Sequence, residues 1–489
     1  MGAYLHFPFC RSVCDYCGYE TRLISKSGAT QFSTLAEREI LGFREADDFS
    51  RATLTSMFFG GGTASLLPLP AMESTLRALK DATGTDTIEE VTLECEPGTI
   101  SVGKLEHARA LGVNRVSICA QSFDNAELAR LTRKHSSADA LQLLDATIEA
   151  GIENRHVDLM YGFRDQTLDD WRRTVEFTAS LPIHHISAYK LYVFRYGRLH
   201  RANLVPRPES EAEAATDRLS AMHDIARTTF AAAGFEQYTL TEYARPGYQS
   251  RYLNDTFGGG DILPLGPSSF GRCGHEVWQN PGLVNMYQDA AGWESGRRAY
   301  RLTPAEAFKR DVILGLWRLR VDTQERAGAA GVTASDALLA ALELASREDK
   351  LDWDGRVVDL RPHQRFGVGD VMSALAALDA DLWIEPDGSR AGTRTMRPAW
   401  DSNPLSSELR TVLRMARRDP KFYIELSLDP RDRIGMLDPP LQEADVRALV
   451  DAIGGTGPAA PATLLARLRE EWESIVSEQR RDTRRAAEV

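Results

Sequence analysis

Tyr4-Leu5-His6-Phe7-Pro8-Phe9-Cys10-Arg11-Ser12-Val13-Cys14-Asp15-Tyr16-Cys17-Gly18-Tyr19 joins a short strand-like run, residues 3–7, to three cysteines within eight positions. The thiols therefore project from one loop at the C-terminal end of a strand. Six cysteines in 489 residues are too few for a disulfide framework, and the clustering of Cys10, Cys14 and Cys17 points to a metal. Iron–sulfur clusters are held by thiolates, and a [4Fe–4S] cluster on three cysteines keeps one iron open to a ligand. The competing reading is zinc completed by His6, although structural zinc normally draws on paired, separated ligand doublets. Cys95, Cys119 and Cys273 stand among apolar or small neighbours and read as buried free thiols.

Outward from this stretch, residues 54–59, 90–95, 115–119, 156–160 and 185–190 read as further strands, separated by amphipathic stretches such as 140–150 and 209–233. The alternation predicts parallel β/α units with helices packed outside a sheet. The expected class is α/β: a partial (β/α)6 TIM-type barrel over 1–235, with its active site at the C-terminal ends of the strands. Residues 234–244 suggest one more strand. Gly258, Gly259, Gly260, Pro264, Gly266 and Pro267 suggest a loop-rich wall, so 236–302 is expected as a barrel extension. Beyond 303, Ala- and Leu-rich helices, Asp354-Gly355 and a β-like run 357–360 predict a helical, winged-helix-like accessory domain to 385. Residues 386–489 are expected as a helical extension without an assignable role.

With 58 Lys and Arg against 70 Asp and Glu, the net charge is −12, which disfavours nucleic acid as a partner. Hydrophobic residues at 43% are ordinary for a globular chain, and no run reaches the length of a membrane span. Residues 1–9 are too short for a signal peptide, so a cytoplasmic location and a small-molecule substrate are expected.

The C-x3-C-x2-C spacing resembles the signature of the radical AdoMet superfamily, and the surrounding motifs resemble its oxygen-independent coproporphyrinogen III oxidase-like branch. Tyr4-x-His6-x-Pro8-Phe9-Cys10 matches that branch's opening, and Phe58-Phe59-Gly60-Gly61-Gly62-Thr63 its glycine motif. Glu94-Cys95-Glu96-Pro97, Gly112-Val113-Asn114-Arg115-Val116-Ser117 with Gln121-Ser122-Phe123, and Asp158-Leu159-Met160-Tyr161-Gly162 follow in the branch's order. Physical chemistry gives these motifs tasks of their own. Glycines 60–62 let backbone approach a ligand, the carboxylates of Glu94 and Asp158 accept hydrogen bonds from an ammonium or ribose hydroxyls, and Arg133 offers a fork to a carboxylate.

The resemblance implies a [4Fe–4S] cluster on Cys10, Cys14 and Cys17 and two molecules of S-adenosyl-L-methionine. Their contacts would be Tyr4, Tyr16, Gly61, Gly62, Thr63, Glu94, Gln121, Arg133 and Asp158, with Tyr192 near a further contact. Tyr16 and Tyr19 flank Cys17 and Gly18, where either phenol would orient a radical, donate a proton or shield the cluster from water.

Two departures bear on substrate. Tyr19 stands where the oxidase carries a further cysteine, and Leu253-Asn254-Asp255-Thr256-Phe257-Gly258 replaces the H-N-x-x-Y-W signature of heme-handling relatives. The resemblance is then nearest to the class C radical AdoMet methyltransferases and cyclopropanases. In these, a 5′-deoxyadenosyl radical takes hydrogen from the second AdoMet's methyl group, and the carbon radical adds to an sp2 carbon of a small metabolite. A flavodoxin or ferredoxin donor is implied, and for some members a partner methyltransferase. An oxidative decarboxylase and a heme-trafficking protein are the alternatives, with His275 as another heme ligand.

Overall fold

Alternation along the first strand decides which way the sheet faces. In β1 (Gly2–Phe7), Ala3, Leu5 and Phe7 are fully buried in an apolar core, while Tyr4 and His6 project to the other side. The same period of two runs through the neighbouring strands. The apolar members Met57 and Phe59, Val91 and Leu93, Val116 and Ile118, Val157 and Leu159, and Ile186 and Ala188 join one core. Helical residues such as Ile40, Leu76, Leu143, Trp171 and Phe230 pack against them. Most of the intervening residues are polar and line the inner face, among them Glu90, Thr92 and Glu94; Arg115 and Ser117; His156 and Asp158; His185 and Ser187, with Phe58 and Met160 as apolar exceptions. The chain thus builds a polar chamber where barrels usually carry stacked aliphatic layers.

The computed structural model describes residues 1–45, 53–163, 165–191, 209–281, 298–334 and 336–366, with 368 and 372. Two short strands, β2 (Phe9–Cys10) and β3 (Arg22–Leu23), form a separate parallel pair. The main sheet continues with β4 (Ser56–Gly61), β5 (Glu90–Cys95), β6 (Arg115–Gln121), β7 (Asn154–Tyr161) and β8 (His185–Lys190). It is completed by β9 (Glu236–Gln237), β10 (Glu242–Ala244), β11 (Ile262–Leu265), β12 (Phe270–Cys273), β13 (Glu276–Gln279) and β14 (Arg298–Arg301). Its order is β14-β13-β12-β11-β1-β4-β5-β6-β7-β8-β10-β9. From β11 to β8 the strands run parallel, with antiparallel additions at both edges. Among the described residues no pairing joins the edges, so the barrel is partial, as expected.

Helices connect the parallel strands, and their starts carry the residues that satisfy free N–H groups. Ser136 with Asp139, and Thr167 with Asp170, form capping boxes for helices Ser137–Glu149 and Leu168–Ser180.

Two expectations need correction. Residues 234–244 are not one strand: β9 and β10 are two short antiparallel pieces, because the chain bends back between Tyr238 and Thr241. The stretch read as a loop-rich wall contains β11, a parallel partner of β1, followed by the β12–β14 meander. The stretch with four glycines and two prolines concealed a four-residue strand that contains one of those prolines.

Past residue 303 the order is helix Pro304–Trp317, β15 (Arg320–Asp322), helices Thr323–Ala330 and Asp336–Arg347, then β16 (Asp352–Trp353) and β17 (Val357–Asp359). The strands form a small antiparallel sheet in the order β15-β17-β16 over a second apolar core that includes Phe308, Leu316, Leu342 and Val358. This is the winged-helix-like arrangement expected from sequence. It meets the barrel through Phe257, whose ring stacks on Trp317 with centroids 5.1 Å apart, and through the Leu240 N–H, which donates to the Trp317 carbonyl at 2.9 Å. Residues 386–489 lie outside the described residues, as does Tyr192.

Candidate functional site

The cysteine loop is closed at its base. Arg22 N–H donates to the Pro8 carbonyl at 2.7 Å and Ile24 N–H to the Cys10 carbonyl at 2.9 Å, so residues 11–21 leave and return through the β2–β3 pair. Within the loop, Cys17 N–H reaches the Cys14 carbonyl at 3.2 Å. Cys10 is buried, which pushes its thiol up to about 11 against the hydrogen bond from Thr63. Cys14 and Cys17 are half-buried, and all six cysteines are free thiols.

The glycine motif is fastened to this loop. Gly62 N–H donates to the Phe7 carbonyl at 2.7 Å and Thr63 N–H to the Phe9 carbonyl at 3.0 Å. Gly61 sits at φ +108, and a Cβ on Gly62 would lie 2.9 Å from the Cys10 Sγ. Only glycine permits both the conformation and the approach. Three soft thiol donors converging on one loop, beside a backbone segment that admits no side chain, fit a cluster held by three cysteines.

Arg133 ties the other side. Its Nη1 lies 3.5 Å from Cys14 Sγ and 3.2 Å from the Tyr16 hydroxyl, and its Nη2 donates to the Cys119 carbonyl at 3.2 Å. Nη2 also pairs with Glu96 at 3.3 Å, and the Thr63 hydroxyl donates to Glu96 Oε2 at 3.1 Å. Arg133 thus joins cysteine loop and glycine motif through Glu96, a residue that sequence reading missed although it stands in Glu94-Cys95-Glu96-Pro97. The buried Nε of Arg133 has no partner among the described residues.

The inner face supplies the remaining groups. Glu94 accepts the Gly61 N–H at 3.2 Å, and burial, with Asp158 adding repulsion, pushes its carboxyl up to about 8. Asp158 behaves oppositely. Burial would raise it, but His156, the Ser117 hydroxyl and Arg115 together hold it below the ordinary carboxylate range. Tyr4 shares the Glu94 corner and stacks on Tyr252 with centroids 6.0 Å apart. Gln121 ends β6 at φ 65 beside an irregularity in the β6–β7 register, a strained position for a residue with a side chain.

Cys10, Cys14, Cys17, Tyr16, Gly61, Gly62, Thr63, Glu94, Arg133, Asp158, Tyr4 and Gln121 therefore gather at the C-terminal ends of β1, β2 and β4–β7. The two tyrosines differ. Tyr16 packs against Leu131, Met160 and Phe163 and meets Arg133, whereas Tyr19 is 66% exposed with its ring 6.1 Å from that of His6. Leu253, Asn254 and Phe257 lie on helix Arg251–Phe257 rather than in a loop, with Phe257 committed to Trp317. His275 is half-buried on the turn between β12 and β13. Sequence reading also missed Glu90, which accepts Ser250 Oγ at 3.0 Å, Arg251 N–H at 3.0 Å and Tyr252 N–H at 3.2 Å. It thereby closes the chamber floor with the N-terminus of that helix.

The sequence pattern of the Radical SAM superfamily matches residues 4–178. The heme chaperone HemW of Synechocystis sp. is 32% identical over 329 residues, covering 64% of this chain and 77% of its own. The heme chaperone HemW of Mycobacterium tuberculosis is 30% identical over 362 residues, 73% of this chain and 91% of its own. The structure of coproporphyrinogen III oxidase (HemN) from Escherichia coli, described as a radical SAM enzyme, matches with a TM-score of 0.64 at 21% identity. That match covers 76% of this chain and 89% of the other.

Proposed function

From the premise that the chain belongs to the radical SAM superfamily, in its HemN-like branch, we propose that it binds AdoMet at the mouth of the chamber and cleaves it reductively. Cys10, Cys14 and Cys17 would hold a [4Fe–4S] cluster, which, once reduced by an external one-electron donor, would supply the electron for that cleavage. The observation that carries the reading is the joined cysteine loop, glycine motif and Arg133, set above two buried carboxyls, Glu94 and Asp158, that repel each other, with Arg115 on the strand between them as the nearby cation. Glu94 forms no ion pair among the described residues, and a ligand bearing ammonium and sulfonium groups neutralises that corner. Gly61, Gly62 and Thr63 present backbone to the ligand, Arg133 holds Glu96 and Cys14 in place, and Asp158 is an acceptor for hydroxyls or ammonium. Tyr16, packed under Arg133, keeps water from the half-buried thiols.

For the purpose of this cleavage we favour heme handling, supported by the names that the relatives bear and by the extent of the likeness. Leu253 has no atom that ligates iron, so His275 is the candidate ligand from this region. Two-AdoMet methylene transfer to an sp2 carbon is the second reading. It is favoured by the same Leu253 and by Tyr19, exposed at the mouth where the oxidase pattern has a cysteine. One anaerobic experiment separates them: reconstituted protein, dithionite, methyl-deuterated AdoMet, and a parallel heme titration. Unlabelled 5′-deoxyadenosine with one heme bound per chain supports the first reading. Deuterated 5′-deoxyadenosine without heme binding supports the second, and no 5′-deoxyadenosine under any condition defeats AdoMet cleavage itself. A Cys10→Ala, Cys14→Ala, Cys17→Ala variant serves as the blank.

A further inference from the structure

Beneath the site, four strands close a buried polar network: Arg115 on β6, His156 and Asp158 on β7, His185 and Ser187 on β8, and Glu242 on β10. Potential ligand atoms of His156, His185 and Glu242 lie within 4.8 Å of one another, the composition of a divalent metal site. The surroundings argue against that use. An imidazole on a metal normally donates its other ring N–H to an acceptor. His156 instead turns Nδ1 to Arg115 Nη2 at 3.0 Å, and a guanidinium only donates. The Nδ1 of His185 has no partner among the described residues.

The same guanidinium fixes the direction of the bonds that follow. Because Arg115 donates to Nδ1, that nitrogen carries a lone pair and the ring proton sits on Nε2. The Nε2–H then faces Asp158 Oδ1 at 3.1 Å and Ser187 Oγ at 2.6 Å. Ser187 passes its own proton toward Glu242, which also accepts the Tyr189 hydroxyl at 2.9 Å and the Thr241 hydroxyl at 3.0 Å. Asp158 Oδ2 takes the Ser117 hydroxyl at 2.7 Å. Both oxygens of Asp158 are thus gripped from below by donors, which favours the ionised form and stops rotation, while their remaining lone pairs are free to accept from a ligand.

We propose that His156, with its tautomer set by Arg115, is a positioning residue that holds the Asp158 carboxylate in register for bound AdoMet. This rests on the reading of Asp158 as an AdoMet contact. The test is equilibrium dialysis of labelled AdoMet against the anaerobically reconstituted full chain, with iron content measured alongside. Two variants differ in which nitrogen they imitate: the Gln amide reaches the Nε2 place and can donate to Asp158, whereas the shorter Asn amide reaches only the Nδ1 place. His156→Asn is expected to raise the AdoMet Kd about tenfold with iron unchanged, the loss of one hydrogen bond to a charged group, and His156→Gln to restore most of the affinity. Asp158→Asn should weaken binding at least as much, and adding His156→Asn to it should change nothing further. Tight binding by His156→Asn beside weak binding by Asp158→Asn would overturn the positioning role and spare the contact. Tight binding by Asp158→Asn would overturn both. Equal losses in the Asn and Gln variants, additive with Asp158→Asn, would mean a merely structural ring. If His156→Asn does not fold, nitrogen NMR of labelled histidine in the wild-type chain decides, since a proton on Nδ1 of His156 contradicts the scheme.

Discussion

Replacing Glu94 by Gln should stabilise the ligand-free protein while weakening its hold on AdoMet. The carboxyl rises from 4.5 to about 8 because burial, then Asp158, penalises its charge. A group raised in the folded state favours folding fully at pH below its unfolded value, and that contribution drains away as pH climbs toward the folded value. At about 1.4 kcal/mol per pH unit, the carboxyl in ligand-free protein costs at most about 3 kcal/mol at pH 7 and levels off near about 5 kcal/mol above pH 8. Glutamine has almost the same shape, keeps an acceptor for the Gly61 N–H and carries no charge to bury. The gain should therefore be negligible at pH 4.5, about 3 kcal/mol at pH 7 and greatest at pH 8.5. Urea unfolding in the Cys10→Ala, Cys14→Ala, Cys17→Ala background, at those three pH values, reads the difference without interference from iron. Loss of affinity is read separately by AdoMet dialysis with the cysteines intact. A Gln variant no more stable than its parent at pH 8.5, or one whose gain is the same at all three pH values, would refute the reasoning.

Arg133→Ala leaves Glu96 nearly buried without its cation, so stability should fall by about 2 kcal/mol and AdoMet cleavage should drop sharply. Cys14 loses one contact, but the closure of the loop by Arg22 and Ile24 and its bonds to Gly62 and Thr63 remain, so most of the iron per chain, measured by colorimetry, should be retained. Gly62→Ala forces a methyl against Cys10 Sγ and the Phe9 carbonyl, both 2.9 Å away, and should lower cluster content. Gly103→Ala, in helix Val102–Ala110 with open space around it, should leave iron unchanged and raise stability by about 0.5–1 kcal/mol. Glu90→Ala removes three hydrogen bonds at the chamber floor and should cost about 2–4 kcal/mol in urea unfolding, with a larger loss than Glu89→Ala at the surface.

The cysteine loop and the six strands that begin the barrel were legible because each is local. Glu90–Cys95 and His185–Lys190 carry their own period and their own turn signals, and the structure keeps those bounds. What escaped was non-local. Ile262-Leu263-Pro264-Leu265 contains a proline and follows three glycines, and only its pairing with Gly2–Leu5, over 250 residues away, makes it a strand. The network of Arg115, His156, Ser187 and Glu242 spans four strands, so no window of sequence holds it. A trace was nonetheless present. Arg115-x-Ser117, His156-x-Asp158 and His185-x-Ser187-x-Tyr189 place polar residues at every second position of buried strands, where a packed barrel would carry aliphatic ones. Glu96 was within reach too, as an acidic residue two places beyond Glu94 with only Cys95 between them. Its role depends on Arg133, which arrives from a turn held by Thr132 at φ 56.

The hydrogen bonds from Gly62 and Thr63 to Phe7 and Phe9 also impose an order on biosynthesis. All three cysteines are made before the strand that fastens their loop, which follows some forty residues later, and Arg133 is made later still. Until β4 has paired with β1, the thiols sit on an unanchored segment that any soft metal or oxidant can reach. Cluster delivery is then a matter of timing: a carrier that loads the nascent segment meets a floppy chelator, whereas one that waits for the barrel meets a finished socket.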